Sequence, residues 1–173
     1  MREADMAIHE IRILGDPVLR AKAAPVSVID DDVRRLVDEM LATMYAADGI
    51  GLAAPQIGVG HRIIVIDVRE EDMPPFGLIN PTIVESSEET ERDEEGCLSI
   101  PNLRDVVERP ARVVAEGLDP FGMPRRIEAD GLLARALQHE VDHLDGILFF
   151  DRLSPLKRKM LLAKWERQQR ERA

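Results

Sequence analysis

Two kinds of hydrophobic period run along this chain. From Val33 the apolar residues Leu36, Val37, Met40, Leu41 and Met44 recur at the i, i+3, i+4, i+7 spacing of an amphipathic helix. Asp30 to Asp32 offer N-caps before that stripe, and Asp48-Gly49 ends it. Its methionines read as core packing. Arg62 to Val68 (RIIVIDV) is a β-branched run of strand length. Shorter strands are expected at Leu78–Ile79, Thr82–Glu85, Val106–Glu108, Arg112–Gly117 and Arg125–Glu128, separated by proline and glycine turns. The acidic run SSEETERDEE (86–95) reads as a polar loop or strand edge. A second helix is expected from Asp130 as cap through Leu133, Ala136, Leu137 and Val141 to Leu144. Asp145-Gly146 closes it before a short strand, Ile147–Phe150, and a third helix follows Ser154-Pro155. The pattern predicts an α+β fold: mostly antiparallel strands around a central helix, with a C-terminal helix.

A length of 173 residues suits one domain that buries its own core. The single cysteine, Cys97, excludes an intrachain disulfide framework and fits a reducing compartment. The start MREADMAIHE has no apolar segment and no run approaches 18 apolar residues, so a soluble cytoplasmic protein is expected, not a secreted precursor or a membrane span. The net charge of −10 is unevenly spread. Residues 156–173 carry seven Lys/Arg against two Glu, a net +5, whereas residues 1–155 carry 16 basic and 31 acidic residues. We therefore read residues 1–155 as one domain and 156–173 as a basic helical extension. Such a tail suits a polyanionic or acidic partner, or a solvated helix face.

The chemistry concentrates in QHEVDH, Gln138 to His143. On the second helix, His139 and His143 are i, i+4 neighbours on one face, and Glu140 lies within reach of a water between them. This is a metal clamp with a base beside it. A catalytic site needs a third protein ligand and an open position. Downstream there is no further histidine, and the first acids are Asp145 and Asp151. Upstream stands Cys97 in EEGCLSIP, where Pro101 is expected to limit the strand. A lone cysteine is more often a small buried hydrophobe. Here a Cys/His/His site is the most economical arrangement. A glycine-rich run, GIGLAAPQ (Gly49–Gln56), lacks the lysine of a phosphate-binding loop, and Gln56 offers an amide donor.

GIGLAAPQ, EGCLS and QHEVDH, in this order, resemble the peptide deformylase family, and GDPVLR (15–20), INP (79–81) and LSPLKR (153–158) extend the likeness over nearly the whole chain. The resemblance implies a catalytic domain that removes the formyl group from N-formylmethionine of nascent chains and releases formate. It makes Cys97, His139 and His143 the ligands of one divalent metal, Fe2+ as the native ion with Zn2+, Ni2+ or Co2+ as alternatives. It makes Glu140 the general base and acid on the attacking water, with Gln56 and the Leu98 N–H holding the oxyanion. It assigns substrate contacts to Ile50, Gly51, Gly96, Arg104, Leu132 and Ala136. Helical geometry puts Arg135 near the rim of that pocket. The basic tail resembles extensions that dock on the ribosome, so the expected partners are formylated nascent peptides and ribosomal RNA phosphates, with no DNA and no membrane. Met6-Ala7-Ile8 looks like a family-typical start, which makes Met1 to Asp5 an upstream extension.

Three other readings compete. A zincin-type metallopeptidase shares the histidine clamp but takes its third ligand after the helix. A thiol hydrolase would use Cys97 as nucleophile, yet no orienting Asn or Asp is evident. A noncatalytic ribosome-associated protein sits poorly with an intact Glu140.

Overall fold

The computed structural model describes residues 6–173, so the reading of Met1 to Asp5 lies outside the described residues. Helix α1 spans Asp31–Ala46, and the Asp30 carboxylate caps it by accepting the Val33 N–H. Strands β1 (Gly51–Ala53), β2 (Ile63–Ile66) and β3 (Phe76–Ser86) follow. Next come β4 (Thr90–Cys97), β5 (Ile100–Pro110), β6 (Arg112–Leu118) and β7 (Pro124–Asp130). Helix α2 spans Gly131–Leu144 and α3 Pro155–Arg172. Every strand pairing is antiparallel. One sheet has the order β1-β2-β3-β6-β7, and β4-β5 form a separate two-stranded sheet. The α+β architecture is as predicted.

Strand β2 shows why the layers stack as they do. All four residues are buried. Alternate side chains point to opposite faces, as the two-residue period of a strand requires. Ile64 and Ile66 join a cluster with Leu133, Leu137 and Val141 of α2. Ile63 and Val65 join Val37, Met40 and Met44 of α1 on the other face. The sheet is thus covered by α1 on one side and by α2 on the other. Helix α2 is buried from Leu133 to Leu144, more completely than a one-sided stripe predicts. A third cluster places Leu161 and Trp165 of α3 on Phe149, Phe150 and β5.

Three local expectations need correction. Leu78–Ile79 and Thr82–Glu85 are parts of one strand, β3, which crosses Asn80-Pro81 through register irregularities. Asn80 adopts a positive φ, and its amide pairs with both backbone groups of Val26, so the proline sits at a bulge without ending the strand. Of the two readings of 86–95, residues 90–95 take the strand, and β5 runs through Pro101 to Pro110, far beyond Val106–Glu108. GIGLAAPQ holds β1 and a 3-10 turn at Ala54–Ile57. The segment expected as strand 147–150 instead forms a 3-10 turn, Phe149–Arg152. The Asp151 carboxylate accepts the Leu148 N–H at 2.9 Å, and both phenylalanines bury in the third cluster.

Candidate metal centre and active site

The β4-β5 hairpin and α2 meet at one end of the molecule. Cys97 closes the hairpin, pairing with Ile100 across the two-residue tip Leu98-Ser99. Its Sγ lies 3.3 Å from His143 Nε2. Donor atoms of Cys97, His139 and His143 all lie within 4.8 Å of one another, and among the described residues no other group of His, Cys, Asp or Glu converges this way. Asp145 and Asp151, the alternative ligands, turn elsewhere: Asp145 pairs with Arg62, and Asp151 with Arg20 and Arg158.

The donor set fits a divalent metal. Metal–sulfur and metal–nitrogen bonds of about 2.3 and 2.1 Å at a tetrahedral angle put the two donors about 3.6 Å apart, near the 3.3 Å seen here. Glu140 supports the same reading, because its buried Oε1 has no hydrogen-bond partner among the described residues. The Nδ1 bond of His139 and the neutral state of His143 agree as well. His139 donates its Nδ1–H to Glu95 Oε1 at 2.8 Å, which leaves Nε2 with the lone pair a metal needs. Burial holds His143 well below its ordinary range and so neutral, as a ligand must be. Burial also lowers His139, but the charge of Glu140 and the contacts with Cys97 and Glu95 outweigh it and raise the imidazole. The field at this point favours positive charge.

Glu140 is buried, and that burial pushes its carboxyl up to about 7, with His139 opposing and Glu95 adding to the rise. Its Oε2 faces Gly51, where a Cβ would come within 2.5 Å, so glycine alone lets β1 approach. Gln56 is held from both ends. Its Oε1 accepts the Ala53 N–H at 2.9 Å, and its Nε2 donates to Ser99 Oγ at 3.0 Å. The same nitrogen faces Cys97 Sγ at 3.6 Å, which aims the amide donor at the candidate centre.

A cleft of about 510 Å³ opens over these groups. Residues 8–159 match the family model for polypeptide deformylase. The chain belongs to the polypeptide deformylase family. A peptide deformylase of Rhizobium meliloti is 53% identical over 162 residues, covering 92% of this chain and 93% of that protein. Another from Natranaerobius thermophilus is 54% identical, covering 89% and 97%. Among solved structures, a peptide deformylase from Legionella pneumophila superimposes with a TM-score of 0.88 at 46% identity, covering 96% of this chain and 98% of that one. One from Synechococcus elongatus, in complex with actinonin, gives 0.85 at 50% identity, covering 90% and 86%. Deformylases are metalloenzymes, in keeping with the donor cluster.

Within this deformylase cleft lie Ile50, Gly51, Gly96, Arg104, Leu132 and Ala136, together with Gln56, Cys97, Leu98, His139 and Glu140. His143 is buried behind them. Arg104 stands in an exposed ion pair with Glu94. Arg135 also lines the cleft, as its helical spacing suggests. It is buried, and donates to Glu95 Oε2 at 2.7 Å and to the carbonyls of Val107 and Glu91, so it braces the site from beneath.

Glu95 went unnoticed in the sequence, inside an acidic run that reads as solvated surface. Yet it stands two residues before Cys97, and residues two apart on a strand share a face. Burial pushes the Glu95 carboxyl up, but bonds from His139 and Arg109 overcome that and hold it well below the usual carboxylate range. Arg109, which forks onto Glu95, and Ser99, which holds Gln56, were also missed. No local pattern marks Arg109.

Proposed function

We propose that this chain hydrolyses the formamide at the first residue of N-formylmethionyl nascent peptides, at a divalent metal held by Cys97, His139 and His143. The observation that carries the reading is the convergence of those three donors beneath a cleft that also holds Glu140 and Gln56. The Cys/His/His donor set accommodates Fe2+ and Zn2+ alike; the family likeness favours Fe2+, with Zn2+, Ni2+ or Co2+ as replacements. When bound, such an ion supplies Lewis acidity, polarising a carbonyl oxygen and easing deprotonation of water.

The chain's own groups do the rest. Glu140 takes the proton of the attacking water at its unpartnered oxygen and later returns it to the departing amine. The Gln56 amide, fixed by Ala53 and Ser99, donates to the developing oxyanion together with the Leu98 N–H. Each such donor is typically worth about 3 kcal/mol in the transition state. Among the described residues β1 is an edge strand, paired only with β2, so Ile50 and Gly51 can accept an extended peptide by strand addition. Gly96 and Arg104 flank the positions after methionine, while Ile50, Leu98, Leu132 and Ala136 receive the methionine side chain.

Residues 1–155 form the catalytic domain in this reading, and 156–173 a docking extension for ribosomal RNA in the cytoplasm. On α3, Lys159, Lys164, Arg167 and Arg170 are exposed, while Leu161 and Trp165 face the body. No helix among the described residues is long and apolar enough to cross a membrane. Reversing those four charges, which spares the buried face, should weaken ribosome binding in a salt-dependent way and leave turnover of a short peptide unchanged.

The deciding experiment pairs Glu140→Ala with the parent chain. The parent should release formate from formyl-Met-Ala-Ser and leave casein intact. The variant should keep its metal yet lose almost all turnover. Near-parental rates in the variant, or cleavage of casein by the parent, overturn the assignment.

A further inference from the structure

Behind the candidate ligands runs a chain of buried charge that the proposed chemistry does not use. Glu95 on β4 takes the Arg109 fork, Nε at 2.6 Å and Nη2 at 2.9 Å, besides its bonds from His139 and Arg135. The remaining Arg109 nitrogen, Nη1, donates to Asp142 Oδ2 at 3.0 Å. Asp142 in turn takes a second fork, from Arg152 Nε at 3.1 Å and Nη2 at 2.7 Å. Arg109 and Glu95 are 4% and 6% exposed as side chains, Asp142 13% and Arg152 45%. The members come from β4, β5, α2 and the 3-10 turn just before α3, and so link the two elements that carry Cys97 and the histidines.

Geometry makes the far end matter to the near end. A guanidinium grips a carboxylate best through two parallel bonds. Glu95 receives that grip from Arg109, and Asp142 receives it from Arg152. While Arg152 holds Asp142, Asp142 draws only one nitrogen of Arg109. Without Arg152, Asp142 is a largely buried carboxylate with one partner, and it competes with Glu95 for the Arg109 fork. Any turn of the Glu95 carboxylate then loosens the His139 Nδ1–H bond, which sets the ring's angle and keeps Nε2 as the donor.

We propose that Asp142 and Arg152 are positioning residues for the metal centre, holding Arg109 on Glu95 and thereby orienting His139 toward the ion. The inference rests on the reading of Cys97, His139 and His143 as ligands.

The test loads the parent chain and the variants R152M, R152K and D142N with Co2+. It reads the visible absorption bands and the rate of Co2+ transfer to a chelator, well below each protein's Tm. The parent should bind one Co2+ per chain. R152M and D142N should shift the bands and release the ion about tenfold faster, the lower end of what outer partners of metal ligands cost. R152K should recover part of the difference, since it keeps the charge without the fork. A merely structural network would lower Tm and leave bands and release at parental values, which overturns the proposal. Should D142N not fold, R152M carries the test, since its side chain is nearly half exposed. A parent that takes up no Co2+ overturns the ligand assignment itself, whereas uptake with unchanged variants overturns only this inference.

Discussion

Gly51 on β1 and Glu140 on α2 meet with no space for a side chain between them: a Cβ at position 51 would lie 2.5 Å from Glu140 Oε2 and 3.0 Å from its Cδ. The edge strand that can receive the peptide therefore touches the carboxylate that can move its proton.

Gly51→Ala should push the Glu140 carboxylate aside without touching the donor cluster. A displacement of about 1 Å at a reacting group costs on the order of 10²-fold in rate. Steady-state formate release should fall by about that factor, while metal content per chain stays at the parental value. Parental kcat in the folded variant would show that Glu140 tolerates displacement and is not the proton carrier.

Removing the metal should cost both activity and stability, because the donors come from two elements, the β4-β5 hairpin and α2. At a free ion concentration about 100 times Kd, binding adds about 2.7 kcal/mol. For a chain of this size that is a rise in Tm of about 5–10 °C over the stripped protein. Cys97→Ala should abolish the rise; a variant that keeps it would remove Cys97 from the donor set.

Trp165 is buried on the Phe149-Phe150 cluster, whereas its neighbour Lys164 is exposed. Trp165→Ala should lower the urea-unfolding free energy by about 3–5 kcal/mol. Lys164→Ala should change it by less than about 0.5 kcal/mol. Equal effects would mean that α3 is not anchored through its apolar side.

Tyr45 is the only tyrosine, so its ionisation can be read alone from ultraviolet absorbance. Partial burial, with the hydrogen bond to Asp67 at 2.6 Å and that carboxylate's charge, pushes the phenol up to about 12 from 10.0. The folded value is the higher one. The contact's contribution to stability is therefore complete below pH about 10 and is lost as pH rises through about 12. Asp67→Asn should bring the absorbance midpoint down toward 10. A midpoint of 10 in the parent would contradict the contact.

Much of this was legible because local rules govern it. The α1 stripe and its Asp30 cap follow helix periodicity, and the RIIVIDV strand follows β-branching. His139, Glu140 and His143 could be grouped because helix geometry alone brings them together. Local rules do not reach tertiary packing. Apolar spacing suggests a strand at 147–150, yet Phe149 and Phe150 lie in a 3-10 turn, buried between α3 and β5 without joining a sheet. Helical spacing places Arg135 at the cleft, which it lines, but does not say that Glu95 packs against it.

By itself, then, the sequence determined most of the elements, the family resemblance and the ligand types, all of which rest on neighbours within a few residues. Only the tertiary structure decided that Glu95 turns inward to His139 over 44 positions, and that Arg109 and Asp142 close a charged chain behind it. Such partners carry no periodic mark. An acidic residue in an acidic strand looks solvated until a fold buries it, and burying a charge is tolerable only where opposite charges from distant segments arrive to meet it.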